Sequence, residues 1–279
     1  MRIRCWGSRG SFPVSGMEFI RYGGDTACVE VESSKGDVVL LDAGTGIRAF
    51  GNQFAAAQEK VVHLVLSHAH LDHIMGFPYF QPIYDEHAIL NIYGGQCGAG
   101  SMETALRKLM RPPYFPVDLS ALPAEINFHE VGADTFNIGV LKFTPIRLNH
   151  PNGGCGYRIE EKGKVFIFLT DNELQRDNPD TGLYEYFEGL CEKADLLIHD
   201  AEYTEEEYPQ HESWGHSKYT DVIKLALAAE VKRVGLFHLN ALRTDDQMDA
   251  IVADAKKIIR ESGAATECFG IGTGFEVVI

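Results

Sequence analysis

The segment from His68 to His73 most constrains how this chain can fold, because it places three histidines and an aspartate on six consecutive residues. An apolar run, residues 61–66, comes directly before it and is typical of a buried strand. A loop after such a strand can point His68 and His70 to one side and Asp72 and His73 to another, so it can serve two neighbouring ions. Imidazole and carboxylate groups are ligands of zinc and manganese. The segment therefore predicts a metal site, with a chance cluster of polar loop residues as the alternative.

Four further apolar runs also end near a histidine or an aspartate. The runs are residues 38–41, 141–148, 165–169 and 233–237, and the polar residues that follow them are Asp42, His150, Asp171 and His238. Short apolar runs bounded by Gly, Asp or Asn are typical of buried strands, and side chains at strand ends are held rigidly while they stay open to a cleft. Each polar residue alone could simply end its strand. Their repetition favours one shared site.

This order of residues resembles the metallo-β-lactamase superfamily of binuclear metal hydrolases. Within it, the chain is similar to the phosphodiesterase branch, which includes ribonuclease Z and cyclic phosphodiesterases, and the matching motifs extend from residues 7–11 (Gly-Ser-Arg-Gly-Ser) to His238. The resemblance implies two divalent ions, Zn²⁺ first and Mn²⁺ as the alternative, and it implies that Asp42 orients the histidine loop. It also implies a division of the ligands: His68, His70 and His150 hold one ion, Asp72, His73 and His238 hold the other, and Asp171 bridges them.

A further pair of residues is implied between Asp171 and His238. In ribonuclease Z and its relatives a carboxylate after a strand pairs with the histidine of a Gly-His-Ser stretch, and Asp200 and His216 stand at the similar positions here. The resemblance implies that this imidazole assists the leaving oxygen. A surface carboxylate is the alternative for Asp200. For His216 the alternative is a place at a helix start, because Ser217 can cap the helix that follows. His199 is another candidate for the same role.

The mechanism that the resemblance implies is attack on phosphorus by a hydroxide that bridges the two metals, with Asp72 as a catalytic residue that orients or deprotonates it. The metals stabilise charge on the phosphoryl oxygens, and His216, held in one tautomer by Asp200, protonates the leaving oxygen. The glycine-rich segments 7–11 and 43–46 are candidates for backbone N–H contacts to phosphate. Arg9 is interpreted as a solvated loop arginine, with a contact to phosphate as the alternative.

The charge of the chain limits its substrate. The net charge is −15, so the outer surface repels polyphosphates, and this favours a small cyclic or other phosphodiester over a long nucleic acid. The one basic cluster, Arg107, Lys108 and Arg111, is interpreted as the solvated face of a short helix. Three alternatives stay open: a ribonuclease Z-like nuclease, a glyoxalase-type thioester or lactone hydrolase, and a metal-binding sensor without turnover.

Composition and pattern predict one domain over residues 1–279, since 45% of the residues are hydrophobic and no shift in composition marks a boundary. Strands are predicted within residues 1–66 and 124–169 and near residues 196 and 234. Helices are predicted over residues 102–110, 219–229 and 245–261, the last capped by Thr244 and ended by Gly263. Strands with flanking helices, together with the resemblance, predict an α/β (α+β) class with a four-layer αββα sandwich.

Six cysteines without Cys-x-x-Cys spacing predict reduced thiols. The N-terminal residues lack the apolar core of a signal peptide, and no apolar run is long enough to span a membrane, so a cytoplasmic protein is expected. The proline-rich segment 111–116 is too rich in proline for a helix or a central strand. It is expected to wall the cleft or to form the contact of a homodimer, with a packed surface loop as the alternative.

Overall fold

A computed structural model describes residues 1–54, 60–95, 100–174 and 182–279, which form two sheets of seven strands each. The first sheet contains, in spatial order, β14 (Glu276–Val278), β1 (Arg2–Gly7), β2 (Cys28–Glu32), β3 (Val38–Leu41), β4 (Val61–Leu66), β5 (Ile89–Gly94) and β6 (Glu125–Glu130). The second contains β13 (Glu267–Gly270), β12 (Arg233–Phe237), β11 (Leu196–Asp200), β10 (Lys164–Leu169), β9 (Cys155–Glu161), β8 (Leu141–Arg147) and β7 (Phe136–Ile138). Both sheets mix parallel and antiparallel pairs.

The two sheets face each other across an apolar core, and helices cover their outer faces. Strand β10 shows how this works: Phe166 and Phe168 pack between the sheets, whereas Ile167 and Leu169 pack against the helices. Because neighbouring side chains of a strand point to opposite faces, a strand buried on both sides is apolar at every position. This explains why residues 165–169 form an unbroken apolar run.

The helices pack against the two sheets in separate layers. α1 (Ile47–Phe54), α2 (Leu71–Ile74) and α3 (Met102–Leu109) pack on the first sheet, and α4 (Leu183–Cys191), α5 (Tyr219–Ala228) and α6 (Asp245–Ser262) pack on the second. The layers therefore follow the order helix, sheet, sheet, helix, and the predicted αββα class is confirmed. The single domain over residues 1–279 stays a prediction.

The later helices match their predictions closely. α6 begins at a capping box, in which the Thr244 hydroxyl accepts a hydrogen bond from the Gln247 N–H, and it ends at Gly263 with φ 74°. The prediction of strands throughout residues 1–66 was wrong for α1. Its buried residues, Ile47, Phe50 and Gly51, follow helical spacing, and a Cβ at Gly51 would lie 2.8 Å from the Phe80 ring, so this helix needs a glycine inside it.

Three smaller expectations can be compared with the structure. Cys5, Cys28, Cys155, Cys191 and Cys268 are free thiols, as predicted, and Cys97 lies outside the described residues. No helix in the described ranges is long and apolar enough to cross a membrane. Residues 111–116 contribute to no described helix or strand. Within them the Phe115 side chain packs against the first layer and the Tyr114 side chain is 77% exposed.

Candidate metal centre

The predicted ligands meet at the carboxyl ends of strands from both sheets. β3 and β4 are parallel, so Asp42 and His68, which follow them, lie at the same edge of the first sheet. β10, β11 and β12 are also parallel, and they bring Asp171, Asp200 and His238 to one edge of the second sheet. This edge of parallel strands is where α/β sheets commonly place functional residues.

Three of these residues have an unusual backbone. Asp42, Asp171 and His238 have φ values of 64°, 47° and 53°, in the left-handed region that residues with a Cβ rarely adopt. Each turns the chain sharply at or just beyond a strand end, and neighbouring hydrogen bonds hold it there: the Asp42 N–H donates to the Val65 carbonyl at 3.0 Å. Such residues persist where the surrounding fold fixes them, and they concentrate at functional sites.

The structure brings the predicted ligands into two groups that share Asp171. We call His68, His70 and His150 with Asp171 the imidazole-rich group, and Asp72, His73 and His238 with Asp171 the carboxylate-rich group. Within each group, one potential ligand atom per residue lies within 4.8 Å of the others. This division matches the one that the resemblance implies.

The two oxygens of Asp171 face different groups. Its Oδ1 lies 3.0 Å from His73 Nε2 and 3.3 Å from His238 Nε2. Its Oδ2 lies 3.6 Å from His68 Nε2 and 3.7 Å from His150 Nε2. One carboxylate can therefore serve both groups at once.

The residues present fit a pair of divalent cations. Nε2 of His68 and Nε2 of His73 are buried and have no hydrogen-bond partner, which is costly for a polar atom unless another group satisfies it. Both atoms point toward Asp171. A set of imidazole nitrogens and carboxylate oxygens is what borderline divalent metals bind.

Asp42 fixes the orientation of His73. Its Oδ2 lies 2.8 Å from His73 Nδ1 and accepts a hydrogen bond from the Ser67 hydroxyl at 2.8 Å, and its Oδ1 accepts one from the Ser67 N–H at 2.7 Å. The carboxylate therefore holds the proton of His73 on Nδ1 and leaves Nε2 directed at the centre. A carboxylate behind a ligating histidine is the usual means of fixing its tautomer.

Glu202 does the same for His238, although no role was predicted for it from the sequence. Its Oε2 lies 3.1 Å from His238 Nδ1, its Oε1 accepts a hydrogen bond from Asn240 Nδ2, and the residue is 5% exposed. It also lies in a third cluster of potential ligand atoms with Asp200, His216 and His238. Glu202 comes two residues after the end of β11, so the strand-end pattern could have found it.

Asp200 and His216 form a buried pair. Asp200 Oδ2 lies 2.6 Å from His216 Nδ1, and Asp200 is the fully buried last residue of β11 rather than a surface carboxylate. His216 lies beside both groups, since its ring centroid is 4.8 Å from that of His238 and 5.2 Å from that of His150. The capping alternative does not hold, because α5 has no side-chain cap and the Ser217 hydroxyl donates to the Asn172 carbonyl instead.

His199 is engaged in the core. Its Nδ1 donates to the Asp200 carbonyl at 2.7 Å, and its Nε2 accepts from Asn172 Nδ2 at 3.2 Å. Burial lowers the pKa of His199 to about 4, so the ring is neutral near pH 7. Both ring nitrogens are occupied, and His199 therefore has none to offer a leaving oxygen.

The pKa values of the histidines are shifted in opposite directions in the two groups. Burial lowers the pKa of His68 well below its ordinary value and lowers that of His150 to about 4. Burial acts in the same direction on His73 and His238, but the nearby carboxylates, Asp171 first among them, outweigh it and raise the pKa of both imidazoles well above the ordinary value. The carboxylate-rich group thus attracts positive charge more strongly.

Two further groups titrate away from their ordinary range. Burial would raise the pKa of Asp72, but the facing His73 and His238 hold it well below the usual value, so Asp72 is ionised. Burial would lower the pKa of His216, but the Asp200 carboxylate outweighs it and raises that pKa to about 9. His216 therefore holds a proton near pH 7.

Residues 7–11 pack against the site and contact two of its predicted ligands. The expectation of a solvated Arg9 in this segment was wrong. Arg9 is fully buried: its guanidinium donates to the carbonyls of Gly23 and Arg243, which lie far away in sequence and enclose it. The Ser11 N–H donates to Asp72 Oδ2 at 2.8 Å. A Cβ at Gly10 would lie 2.3 Å from the His238 ring, so only glycine fits there.

The expectation that these glycine-rich segments bind phosphate was also wrong. The N–H groups of residues 8–11 donate to Asp25, Leu239 and Asp72, and those of residues 43–46 donate to His73, Ala27 and Thr26. These N–H groups are occupied by acceptors of the protein itself. Both segments therefore act as supports for the ligand loops.

Two facing sheets between helices, with two histidine and aspartate groups at their strand ends, define the class of metal-dependent hydrolases with the αββα fold. The comparisons specify the family: the model of the "Beta-lactamase superfamily domain" matches residues 38–239, and the chain belongs to this family.

Several known proteins resemble this chain. Ribonuclease Z of Azobacteroides pseudotrichonymphae is 24% identical over 269 residues, which cover 85% of this chain and 89% of the relative. Ribonuclease Z of Thermococcus kodakarensis is 24% identical over 247 residues, which cover 73% and 75%. Among solved structures, the metallo-beta-lactamase fold protein YhfI of Bacillus subtilis has a TM-score of 0.72 at 20% identity and covers 99% of this chain and 98% of its own. A diphosphatase from the PhnP family has a TM-score of 0.67 at 18% identity and covers 100% and 97%.

Proposed function

We propose that this protein is a binuclear metal-dependent phosphodiesterase that hydrolyses a small cyclic or other phosphodiester. The observation that carries the proposal is the buried Asp200 and His216 pair, 2.6 Å apart and directly beside both ligand groups. An alkoxide is a poor leaving group and needs a proton, whereas a thiolate does not, so such a pair suits a phosphodiester better than a thioester. The ribonuclease Z relatives support the same chemistry.

The ligands of the metals follow from the two groups. The imidazole-rich group would hold one ion and the carboxylate-rich group the other, with one oxygen of Asp171 directed at each. Divalent ions such as Zn²⁺ or Mn²⁺ supply activation of water near neutral pH and neutralise the charge that develops on the phosphoryl oxygens.

Two side chains handle the protons of the reaction. Asp72, held by the Ser11 N–H and facing the centre, accepts a hydrogen bond from the attacking water and orients it. The Nδ1–H of His216 donates a hydrogen bond to Asp200, which fixes the orientation of the ring. Nε2 is then the nitrogen that transfers a proton to the leaving oxygen. The attacking and leaving oxygens therefore have separate partners.

The charges near the site support a small substrate. Arg9 and Arg243 lie close to the ligand loops, but Arg9 is buried against backbone carbonyls and Arg243 pairs with Glu207 at 2.6 Å. With a net charge of −15, the protein offers little to hold the backbone of a long nucleic acid. The homodimer suggested by residues 111–116 remains a prediction.

A ribonuclease Z-like nuclease is the second candidate, because the relatives of this chain carry that name. The two candidates differ in substrate and share the chemistry. Rates on a cyclic nucleotide and on a short RNA, measured with the same Zn²⁺- or Mn²⁺-loaded protein, distinguish them. A higher kcat/KM on RNA would favour the nuclease.

The leaving-group role of His216 tests the proposal directly. His216→Ala should reduce hydrolysis of an alkyl diester, such as a cyclic nucleotide, by about 10²- to 10⁴-fold and should spare bis-p-nitrophenyl phosphate, since nitrophenolate leaves without a proton. Asp200→Asn should show a milder form of the same bias. His199→Gln is the matched control, because His199 is also buried and both of its ring nitrogens are engaged by Asp200 and Asn172. Equal losses on both substrates would remove the proton-donor role.

A further inference from the structure

Trp214 is an exposed side chain on a firmly held segment beside the site. Its indole is 57% exposed, although the next residue, Gly215, and His216 are both buried. Neither the metal groups nor the proton donor uses this residue.

A buried carboxylate from another part of the chain holds the segment. Glu173, 2% exposed, accepts hydrogen bonds from the Ser213 N–H at 2.9 Å, the Gly215 N–H at 3.0 Å and the Tyr208 hydroxyl at 2.5 Å. Gly215 has φ 91°, and a Cβ there would lie 2.2 Å from His150 Nδ1. The backbone on both sides of Trp214 is therefore fixed against the imidazole-rich group.

A series of aromatic rings links Trp214 to the proton donor. Its ring contacts that of His211 edge to face at 4.9 Å, His211 stacks on Tyr203 at 4.5 Å, and Tyr203 contacts His216 at 6.0 Å. In addition, the Gly215 carbonyl lies 3.1 Å from His150 Nδ1. Two rings, those of His211 and Tyr203, therefore connect the indole to His216, and the residue next to Trp214 contacts the imidazole-rich group directly.

The charges around Trp214 favour a neutral aromatic partner. Glu205, Glu206, Glu207 and Glu212 lie in the same stretch of chain, and Lys218 pairs with Glu205 and Asp221. An acidic surface repels a polyanion, whereas base stacking on an aromatic side chain needs no cation. The aromatic part of a substrate already anchored by its phosphate fits this surface.

We propose that Trp214 is the stacking surface for a planar base on the leaving group, so that the substrates are phosphodiesters of nucleosides. The inference rests on the proposed phosphodiesterase activity. In the reaction, water forms the new bond to phosphorus and releases a proton through Asp72 to solvent, the bond from phosphorus to the ribose oxygen breaks, and that oxygen takes the proton from His216. The base of the nucleoside that carries the leaving oxygen would lie on the indole, which makes Trp214 a specificity determinant.

The test compares two substrates that differ only in the base: adenosine 2′,3′-cyclic phosphate and methyl ribofuranoside 2′,3′-cyclic phosphate. Trp214→Leu, which keeps an apolar side chain but removes the planar ring, should lower kcat/KM for the adenosine compound by about 5- to 100-fold, mainly through KM. Trp214→Phe should keep most of the parent value. The base-free compound should show no comparable selective loss. Equal losses on both substrates, or no loss on either, would overturn the stacking role.

Fluorescence provides a readout that does not depend on turnover. The chain has two tryptophans, and Trp6 is only 5% exposed, so quenching by added ligand reports on Trp214. Adenosine 5′-monophosphate should quench the metal-loaded protein, ribose 5-phosphate should not, and Trp214→Phe should lose the effect. Quenching without hydrolysis of any diester would refute the proposed function and keep the stacking site. Hydrolysis without base-specific quenching would refute the stacking site alone.

Discussion

The imidazole-rich and carboxylate-rich groups share Asp171 but differ in burial and charge. In the first, His70 and His150 are partly exposed, whereas every residue of the second is buried. Carboxylates stand behind the histidines of the second group, Asp42 behind His73 and Glu202 behind His238. We therefore expect the carboxylate-rich group to bind a cation more strongly, and the imidazole-rich group is the more open of the two.

This comparison predicts an order of metal binding. The carboxylate-rich group should fill first, because burial weakens the screening of its negative charges. The imidazole-rich group should fill second and exchange its ion more readily. The predictions below test this difference, in order of decreasing effect on turnover.

The largest effect is expected at Asp171, which both groups use. Loss of a residue that only orients a metal ligand lowers metal affinity or activity by about 10- to 100-fold. Loss of a shared ligand should therefore lower turnover by more than about 100-fold. Asp171→Ala should also lower the metal content of both groups, as measured by elemental analysis of protein purified without chelator. Two retained ions per chain with near-normal turnover would show that the groups do not depend on Asp171.

Substitutions within single groups should separate the two ions. Asp72→Asn removes the residue that orients water, so turnover should fall by at least about 10²-fold. In calorimetric titration with Zn²⁺, the tighter of the two binding steps should be lost. His70→Ala should instead abolish the weaker step. If both variants lose the same step, the two groups do not act as separate sites.

Smaller effects on metal affinity are expected for Asp42 and Glu202, which contact the Nδ1 atoms of His73 and His238. Asp42→Asn and Glu202→Gln keep the shape of the side chains but weaken their hold on His73 and His238, so each should reduce affinity for the tighter ion by about 10- to 100-fold. Asp195→Asn serves as the control, since Asp195 is also a buried carboxylate but pairs with Lys164 and Lys232. A change confined to the weaker ion would contradict the assignment.

The smallest effect on turnover is expected at His199, whose role is in stability. Its pKa is about 4 in the folded protein against 6.5 for an ordinary histidine, so the unfolded chain binds the proton first as the pH falls. His199 therefore costs no stability above about pH 6.5 and destabilises the fold increasingly toward pH 4, by about 3 kcal/mol in total.

This sign can be checked with His199→Gln. The free energy of unfolding of the parent, relative to that of the variant, should fall by about 2 kcal/mol between pH 7 and pH 5 in urea titrations under identical metal conditions. Metal release affects both proteins and cancels in the difference. A difference that is independent of pH would mean that His199 does not stay neutral in the folded protein.

Much of the centre could be predicted because its ligands follow strands. His68 to His73 are contiguous, and Asp42, Asp171 and His238 stand at or just beyond the ends of apolar runs, so a one-dimensional pattern is enough to find them. The αββα layers were predicted from the grouping of strands and helices together with the family resemblance, and the unbroken apolar run of β10 agrees with them.

The residues that were missed depend on contacts between distant segments. Glu202 follows the end of β11 by two residues, so its position fits the strand-end pattern, but it begins a stretch rich in glutamate and only the fold shows that its partner is His238. Arg9 is buried by residues 23 and 240–243, which no local pattern connects to it. Helix α1 was missed because a glycine, Gly51, weakens the helical signal of its sequence. The reason for this glycine is the close approach of the Phe80 ring, which only the folded structure reveals.

The division of ligands along the chain also has a consequence for biosynthesis. The imidazole-rich group is complete once residue 171 has been made, whereas the carboxylate-rich group waits for His238, which comes 166 positions after Asp72. If the carboxylate-rich group binds more strongly, as we expect, the growing chain gains its weaker site first and its stronger site last. An ion captured early would be held mainly by imidazoles, and the ribosome would have to add β11, His216 and β12 before the centre could be complete.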